Sequence, residues 1–128
     1  MPGGDEIAAA ERQGDPYIVY ADAHGSRRVL SLPDSWLRLT IGRGMSTDVP
    51  LTWDPDASRV HAELVRVADA WVVVDDGLSR NGTFVNGERV TRRRRLLDGD
   101  ELRIGSTPIR FRAPFEAGEH TLVDAPRP

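Results

Sequence analysis

Short β-strand patterns, separated by turn residues, follow one another along most of this chain. Residues 37–41 alternate apolar and polar side chains with period two, which predicts a half-buried strand. The pair Asn86-Gly87 supplies the two positive φ angles of a type I′ turn and predicts a tight hairpin. Further strand patterns lie at residues 17–20, 28–32, 62–67, 70–74, 83–85, 88–90, 101–104 and 107–112. Because no long helical stripe interrupts them, the sequence predicts an all-β sandwich or barrel.

The length of the chain and its apolar content fit one folded domain. It has 128 residues, of which 39% are hydrophobic, and this is enough for a single core. Residues 1–15 and 114–128 are rich in Gly, Ala, Pro and acidic residues and show little apolar periodicity. We therefore expect flexible tails over 1–15 and 114–128 and one domain over residues 16–113.

Composition excludes several classes of function. The chain has no Cys, which excludes disulfides, thiolate metal sites and thiol nucleophiles. Its net charge of -3 gives no general attraction to nucleic acid. No apolar run is long enough to span a membrane and no signal-peptide pattern opens the chain, so a cytoplasmic location is expected.

Three segments between predicted strands carry the polar groups that a phosphate monoester requires. They are residues 41–44 (Ile-Gly-Arg-Gly), 58–62 (Ser-Arg-Val-His-Ala) and 79–83 (Ser-Arg-Asn-Gly-Thr). All 17 basic Lys or Arg residues of the chain are Arg, so each cationic contact would come from a planar guanidinium suited to bidentate oxyanion binding. Guanidinium, hydroxyl and amide donors on loops of a rigid scaffold predict a site for a phosphorylated ligand.

These segments belong to a longer series that resembles the forkhead-associated (FHA) domain family, in its bacterial form. The resemblance covers about residues 17–111. It rests on Gly42-Arg43, Ser58-Arg59-Val60-His61, Asn81-Gly82-Thr83-Phe84-Val85-Asn86-Gly87, Asp98-Gly99-Asp100 and Ile104-Gly105, in this order. It implies a SMAD/FHA-like β-sandwich of about eleven strands whose loops at one end bind phosphothreonine peptides.

The resemblance also implies roles for individual residues. Arg43 would contact the phosphate, Ser58 would donate its hydroxyl to it, and Asn81 would bond the peptide main chain. The residues expected to bind the peptide are Arg43, Ser58, Arg59, Ser79, Arg80 and Asn81. The residues expected to support the site without touching ligand are Gly42, His61, Gly82, Thr83, Asn86 and Gly87. His61 would brace the loop that carries Ser58.

Two positions depart from the family pattern. Arg80 stands where the family often has a small hydroxyl residue, and it would either add charge to the site or point into solvent. Residues 76–78 (Asp-Gly-Leu) differ in order from the commoner Asp-Leu-Gly, which leaves the path of this loop open.

The function implied is a phosphothreonine-dependent protein interaction module that acts downstream of a Ser/Thr protein kinase, with no catalysis, cofactor or metal. The alternatives are an interaction domain of the same fold that does not need phosphate, or the regulatory FHA portion of a transcription regulator. A hydrolytic triad of Ser58, His61 and either Asp75 or Asp76 is disfavoured, because no nucleophile elbow surrounds the serine and no oxyanion hole is evident.

Two further features leave alternatives open. Residues 92–95 are four consecutive arginines, interpreted as a solvated loop or as a docking patch for acidic peptide or nucleic acid. Thr121 lies in the C-terminal tail with Asp124 three residues later. If phosphorylated, Thr121 would be a candidate ligand for the chain's own site or for that of a neighbouring copy.

Overall fold

Two sheets of short strands face each other across one core. The computed structural model describes residues 2–114 of the chain. Within them the first sheet has the strand order β2-β1-β11-β10-β7-β8 and the second has the order β4-β3-β5-β6-β9. The strands are β1 (Tyr17–Ala21), β2 (Arg27–Ser31), β3 (Arg38–Gly42), β4 (Val49–Pro50), β5 (Ala62–Val67), β6 (Ala70–Val74), β7 (Thr83–Val85), β8 (Glu88–Arg89), β9 (Arg93–Arg95), β10 (Glu101–Ile104) and β11 (Thr107–Arg112). The prediction of an all-β sandwich of about eleven strands is confirmed.

Alternating side chains build the core, as the period-two pattern predicts. In β10, Leu102 and Ile104 are fully buried while Glu101 and Arg103 are exposed. In β3, on the facing sheet, Leu39 and Ile41 are buried in the same cluster. Each sheet therefore turns one apolar face inward, and burial of these faces is the main force that holds the sandwich together.

The Asn-Gly turn has the predicted geometry. Asn86 has a φ of 51° and Gly87 a φ of 85°, the positive values of a type I′ turn. The turn joins β7 to β8 with Val85 opposite Glu88. This hairpin sets the register of β7, whose first residue enters the loops described below.

An α-helix, α1 (Pro2–Gln13), precedes β1, where the sequence predicts an irregular, flexible tail. Residues 8–13 (Ala-Ala-Ala-Glu-Arg-Gln) are strong helix formers. The helix ends at Gln13 and is followed by Gly14, whose φ is 79°. The N–H groups of Gly14 and Asp15 donate to carbonyls of the last turn at 3.2 Å each, which is the pattern of a Schellman motif.

Side chains of α1 also pack against the sandwich. Ala10 is buried, and the hydroxyl of the buried Tyr17 donates to Glu11 at 2.7 Å. Residues 2–13 are therefore helical because local helix propensity and contact with β1 act together, while the predicted flexibility of residues 1–15 stays a prediction. The predicted boundary of the domain at residue 16 stays a prediction, and the predicted C-terminal tail lies outside the described residues beyond residue 114.

The arginine run does not form the loop that was one of its two interpretations. Residues 93–95 are the edge strand β9, paired with β6 so that Arg93 lies opposite Val74. Arg94 forms an ion pair with Glu88 at 2.7 Å. Charged side chains on an edge strand oppose its pairing with another sheet, which gives these arginines a structural role.

No helix in the part of the chain that the structure describes has the length and apolar content needed to cross a bilayer.

Candidate functional site

Three loops meet at one end of the sandwich. The first loop (residues 43–48) follows β3, the second loop (51–61) precedes β5, and the third loop (75–82) joins β6 to β7. The N–H of Arg43 donates to the carbonyl of Ser58 at 2.8 Å, and that of Gly44 donates to Arg59 at 3.0 Å. These two backbone bonds fix the first loop beside the second, so Arg43, Ser58 and Arg59 lie close together.

Gly42 permits this close approach. A Cβ atom on Gly42 would lie 2.2 Å from the carbonyl oxygen of Arg59 and 2.9 Å from the backbone nitrogen of His61. Both neighbours are backbone atoms, which cannot move aside without moving the loop. Glycine is therefore required here by contact rather than by an unusual φ.

His61 connects the second loop to the third. Its side chain is fully buried. The N–H of Ser58 donates to Nδ1 of His61 at 3.0 Å, and Nε2 of His61 lies 2.9 Å from the carbonyl oxygen of Gly82. Because Nδ1 accepts a bond from a backbone N–H, Nε2 carries the proton and donates to Gly82. The imidazole thus spans the two loops and does not face solvent.

Asp75 organises the third loop. Its carboxylate accepts bonds from the backbone N–H of Leu78 at 3.0 Å and from the hydroxyl of Thr83 at 2.8 Å. It also accepts bonds from the N–H and the hydroxyl of Ser79. Burial alone would raise the pKa of Asp75, but the bonds from Ser79 and Thr83 outweigh burial and lower the pKa below its ordinary value.

Ser79 is therefore occupied inside the third loop. Its hydroxyl donates to Asp75 and accepts the N–H of Gly82 at 3.0 Å. The sequence predicts Ser79 among the residues that bind the peptide, yet its single hydroxyl proton is already used. The structure gives Ser79 a bracing position, next to Thr83 and Gly82.

Ser58 and Arg80 meet across the second and third loops. The backbone N–H of Arg80 donates to the hydroxyl oxygen of Ser58 at 2.9 Å. A serine hydroxyl that accepts such a bond keeps its own proton for another acceptor. Ser58 is half-buried, and its hydroxyl can donate this proton to a ligand. Arg80 is exposed, and its guanidinium can contribute positive charge to the same region.

Asn81 is held by one of its two amide protons. Its Nδ2 donates to the backbone carbonyl of Asp56 at 2.8 Å. Its side chain is exposed. The other amide proton and the carbonyl oxygen Oδ1 have no partner among the described residues, so Asn81 can both donate to a passing main chain and accept from it.

Free guanidinium groups are the main electrostatic feature of the three loops. Arg43, Arg59 and Arg80 are exposed, and none of them forms an ion pair with a carboxylate in residues 2–114. Nε of Arg43 donates to the carbonyl of Ala57 at 3.0 Å. This bond orients the Arg43 side chain and leaves its two terminal nitrogens available for an oxyanion.

A second buried carboxylate, Asp54, anchors the second loop. It accepts bonds from the N–H of Ser106 at 2.8 Å and from the hydroxyl of Thr107 at 2.6 Å. Burial alone would raise the pKa of Asp54, but these bonds lower it below the ordinary value. Gly105, with a φ of 63°, passes so close that a Cβ would lie 2.7 Å from Asp54 Oδ2. No sequence pattern predicts a role for Asp54, because Ser106 and Thr107, which it joins to the second loop, lie more than fifty residues away along the chain.

Two predicted supporting residues lie apart from the loops. Asn86 and Gly87 turn the opposite end of β7, about 10 Å along the strand from Thr83. Asn86 bonds with Asp100 and Glu101, not with the three loops. Asn86 and Gly87 therefore lie at the hairpin, whereas Gly42, His61, Gly82 and Thr83 lie at the three loops or at their ends.

The geometry around Ser58 differs from that of a hydrolytic triad. Nδ1 of His61 accepts the backbone N–H of Ser58, not its hydroxyl, and Asp75 bonds to Ser79 and Thr83. Among the described residues, no three side chains of His, Asp or Glu lie close enough together to hold a metal ion.

Comparisons with known proteins agree with this geometry. The FHA domain family matches residues 39–105, a range that contains all three loops. The chain is similar to an FHA domain whose phosphothreonine-dependent interactions have been analysed: the two are 31% identical over 77% of this chain and 95% of the other, with a TM-score of 0.65. It is also similar to the FHA domain of FhaA, solved in complex with the intracellular domain of another protein, with 31% identity, coverage of 76% and 99%, and a TM-score of 0.64.

A Synechocystis protein of known structure is 32% identical, with coverage of 77% of this chain and 95% of that chain and a TM-score of 0.66. No curated protein sequence matches the chain. The matched residues, the sandwich topology and the three braced loops lead to one conclusion: this chain belongs to the FHA domain family.

Proposed function

We propose that the chain binds proteins that carry phosphothreonine, through its three loops, and that it acts by recognition rather than catalysis. The observation that carries this proposal is the set of three exposed arginines, Arg43, Arg59 and Arg80, on loops fixed by internal hydrogen bonds and without carboxylate partners among the described residues. A similar FHA domain takes part in phosphothreonine-dependent interactions, which supports the same ligand here.

In this proposal Arg43 is the main phosphate contact. Its Nε is already held by Ala57, so the side chain loses little conformational entropy when the two terminal nitrogens engage the phosphate. The hydroxyl of Ser58 donates its free proton to the same group. Arg59 and Arg80 flank the phosphate and add charge, because phosphothreonine carries close to two negative charges at neutral pH.

Asn81 is proposed to hold the main chain of the peptide. Its free amide proton and Oδ1 can pair with one carbonyl and one N–H of an extended ligand. The bond from Nδ2 to Asp56 keeps the amide plane in place before the ligand arrives. Ser79, by contrast, is proposed to brace the third loop rather than to contact the peptide, since Asp75 takes its proton.

A charge-matched pair of variants tests the assignment of Arg43. Arg43→Ala should lose charge-assisted bonds worth roughly 1.5–3 kcal/mol, a fall in phosphopeptide affinity of about ten- to a hundredfold. Arg27→Ala is the control, because Arg27 is exposed in β2 without an ion pair among the described residues and its loss changes net charge equally. Affinity is measured by calorimetry with a peptide selected from a phosphothreonine library.

Two results would reject the proposal in different ways. Equal affinity of Arg43→Ala and Arg27→Ala would remove Arg43 from the site. Equal binding of phosphorylated and unphosphorylated peptides by the unaltered chain would favour the interaction domain that does not need phosphate.

The cellular context is part of the proposal. A phosphothreonine ligand requires a Ser/Thr protein kinase upstream, and a cytoplasmic location, with a bacterial kinase pathway as its setting, stays a prediction. A role as the regulatory part of a transcription regulator stays an alternative. Thr121 lies outside the described residues. Self-binding is tested by titrating a phosphorylated Thr121 peptide into the chain shortened to residues 1–114, and absence of binding would reject it.

A further inference from the structure

We propose that an outer groove, on the face of the first sheet that points away from the core, binds the chain's own residues 115–128. These residues lie outside the described part of the chain. The outer groove has a volume of about 290 Å³. Its lining includes Val19 and Ala21 of β1, Arg27 of β2, and Pro108 and Arg110 of β11. No residue of the three loops takes part, so this contact is independent of the proposed function.

The floor of the outer groove is apolar. Val19 points away from the core, because its neighbour Ile18 is fully buried and side chains alternate along a strand. Pro108 points outward for the same reason, since Ile109 beside it is fully buried. Val19 is half-buried and Pro108 is exposed. An apolar side chain of a ligand can therefore be buried against the sheet between β1 and β11.

The rim of the outer groove carries arginines without strong acidic partners. Arg27 is exposed and forms no ion pair within residues 2–114. Nη1 of Arg110 donates to the carbonyl of Gly99 at 2.8 Å, so a neutral group orients this guanidinium. Nη2 of Arg110 lies 3.7 Å from Glu101, and both side chains are about half exposed, so this ion pair is weak. The rim therefore has more positive charge than Glu101 neutralises.

A third arginine extends the positive charge along the same face of the sheet. Arg103 lies opposite Pro108, and its guanidinium carbon is 4.4 Å from the centre of the Phe84 ring. This stacking holds the guanidinium in place without neutralising it. The chain as a whole has a net charge of -3, so this face is a local concentration of positive charge that attracts an acidic ligand.

Residues 115–128 have the composition that such a surface fits. They contain three acidic residues and one arginine, together with three large apolar residues. The acidic residues are Glu116, Glu119 and Asp124, and the large apolar residues are Phe115, Leu122 and Val123. Carboxylates of this segment can pair with the arginines of the rim while an apolar side chain lies on the floor.

The segment begins close enough to the outer groove to reach it. The described residues end two residues after β11, which is itself part of the groove. Arg110 is two residues, or about 7 Å, from the end of that strand. The extended length of residues 115–128 is about 46–50 Å. Because the segment is tethered beside the groove, its high effective concentration favours even a weak contact.

A single nitroxide label tests this contact in the full chain. The sequence has no Cys, so Ala125→Cys provides one attachment site and leaves the three acidic residues unchanged. Paramagnetic broadening of backbone amide signals is measured by NMR at low salt. Broadening at Val19, Ala21 and Arg110 should exceed that at Val72, which lies between the buried Trp71 and Val73 and points outward from the second sheet.

Substitution of the rim arginines should release the segment. Arg27→Gln combined with Arg110→Gln should reduce the broadening at the outer groove by about fivefold, because two weak ion pairs are lost and the broadening is proportional to the bound fraction. Arg93→Gln combined with Arg95→Gln is the matched control, since both are exposed arginines of β9 in the second sheet and their loss changes net charge equally. That control should keep the broadening.

Substitutions in the segment test the same contact without altering the folded sandwich. Glu116→Gln combined with Glu119→Gln should also reduce the broadening by about fivefold. In the unaltered segment the broadening should fall likewise at about 0.5 M NaCl, where charges are screened beyond roughly 4 Å. Thermal unfolding of the arginine variants checks that a loss of broadening does not come from a loss of the fold.

Three results would overturn this assignment. The first is broadening at the outer groove that is unchanged by both the arginine and the glutamate substitutions. The second is broadening concentrated at the three loops, which would place the segment at the phosphate site instead. The third is broadening of an isotope-labelled copy by a separate copy that carries the nitroxide, which would assign the segment to a neighbouring molecule. Loss of phosphopeptide binding would reject the proposed function and leave all of these measurements unaffected.

Discussion

Gly42→Ala is expected to force apart the first and second loops, because the new methyl group has no room. Its Cβ would lie 2.2 Å from the carbonyl oxygen and 2.8 Å from the carbonyl carbon of Arg59. Ordinary van der Waals contact begins at about 3.4 Å, so the second loop or β3 must move by more than an ångström.

The size of the effect follows from what this movement breaks. The bonds from Arg43 N to Ser58 O and from His61 N to Ile41 O are both 2.8 Å long and lie on either side of Gly42. Each contributes about 1 kcal/mol, and overpacking of a close contact costs roughly 1–3 kcal/mol. We expect the free energy of unfolding to fall by about 3–5 kcal/mol in total, equivalent to a fall in Tm of roughly 10–25 °C for a domain of this size.

Gly44→Ala is the matched control. Its Cβ would lie 3.1 Å from the carbonyl oxygen of Arg59, which requires a shift of only a few tenths of an ångström. That variant should lose less than about 1 kcal/mol. Urea unfolding followed by circular dichroism measures both variants, and phosphopeptide affinity should fall with stability only for Gly42→Ala. If the two variants differ by less than about 0.5 kcal/mol, the claim that contact requires glycine at residue 42 is wrong.

Other perturbations follow from the buried groups. The folded-state pKa of Asp75 lies below its ordinary value, so the ionised carboxylate contributes to the free energy of unfolding. This contribution is complete above about pH 4 and is lost as pH falls through the lowered pKa. In urea titrations, the unaltered chain should therefore lose more stability between pH 6 and pH 3 than Asp75→Asn does. Burial and the hydrogen bond to Glu11 raise the pKa of Tyr17 to about 12. The free energy of unfolding should therefore fall as pH rises from about 10 to 12. Removal of residues 1–13 should shift the pKa of Tyr17, measured by the absorbance of its phenolate, back toward 10. Gly105→Ala should lower Tm far more than Gly99→Ala, since both have positive φ but only the first meets atoms within 4 Å.

Strands that bury one face could be predicted from the sequence. Strands whose position depends on hydrogen bonds to a neighbouring strand could not. Residues 37–41 alternate in polarity, and the structure has β3 at Arg38–Gly42. Strand β9 consists of three arginines and has no alternation, because its place at the edge of the sheet depends on hydrogen bonds to β6 rather than on burial. Helix α1 was missed for a similar reason, since its apolar contact is little more than Ala10.

The residues of the candidate site could be predicted from motifs, but which atoms bond to one another is known only from interatomic distances in the structure. The spacing of Ser58 and His61 predicts that both belong to the site. Only the structure shows that the imidazole accepts a bond from the backbone N–H of Ser58 and not from its hydroxyl. The sequence predicts that Ser79 binds the peptide, whereas in the structure its hydroxyl donates to Asp75. The carboxylate of Asp75 holds the third loop by accepting a bond from the hydroxyl of Thr83, eight residues later. No local sequence pattern predicts such a bond.

The same distances explain why the cations of this site are free. Two carboxylates of the three loops are hydrogen-bonded to neutral donors. The carboxylate of Asp75 accepts bonds from hydroxyl and backbone N–H groups, and that of Asp56 accepts a bond from the hydroxyl of Ser106. These two carboxylates are thereby used for bracing and do not neutralise Arg43, Arg59 or Arg80. Arg43 is oriented by a neutral carbonyl oxygen, which leaves its charge intact. A loop cluster braced in this way is already organised for an anion, so loss of a bracing bond should weaken binding by letting the cations move, even where no ligand contact is removed.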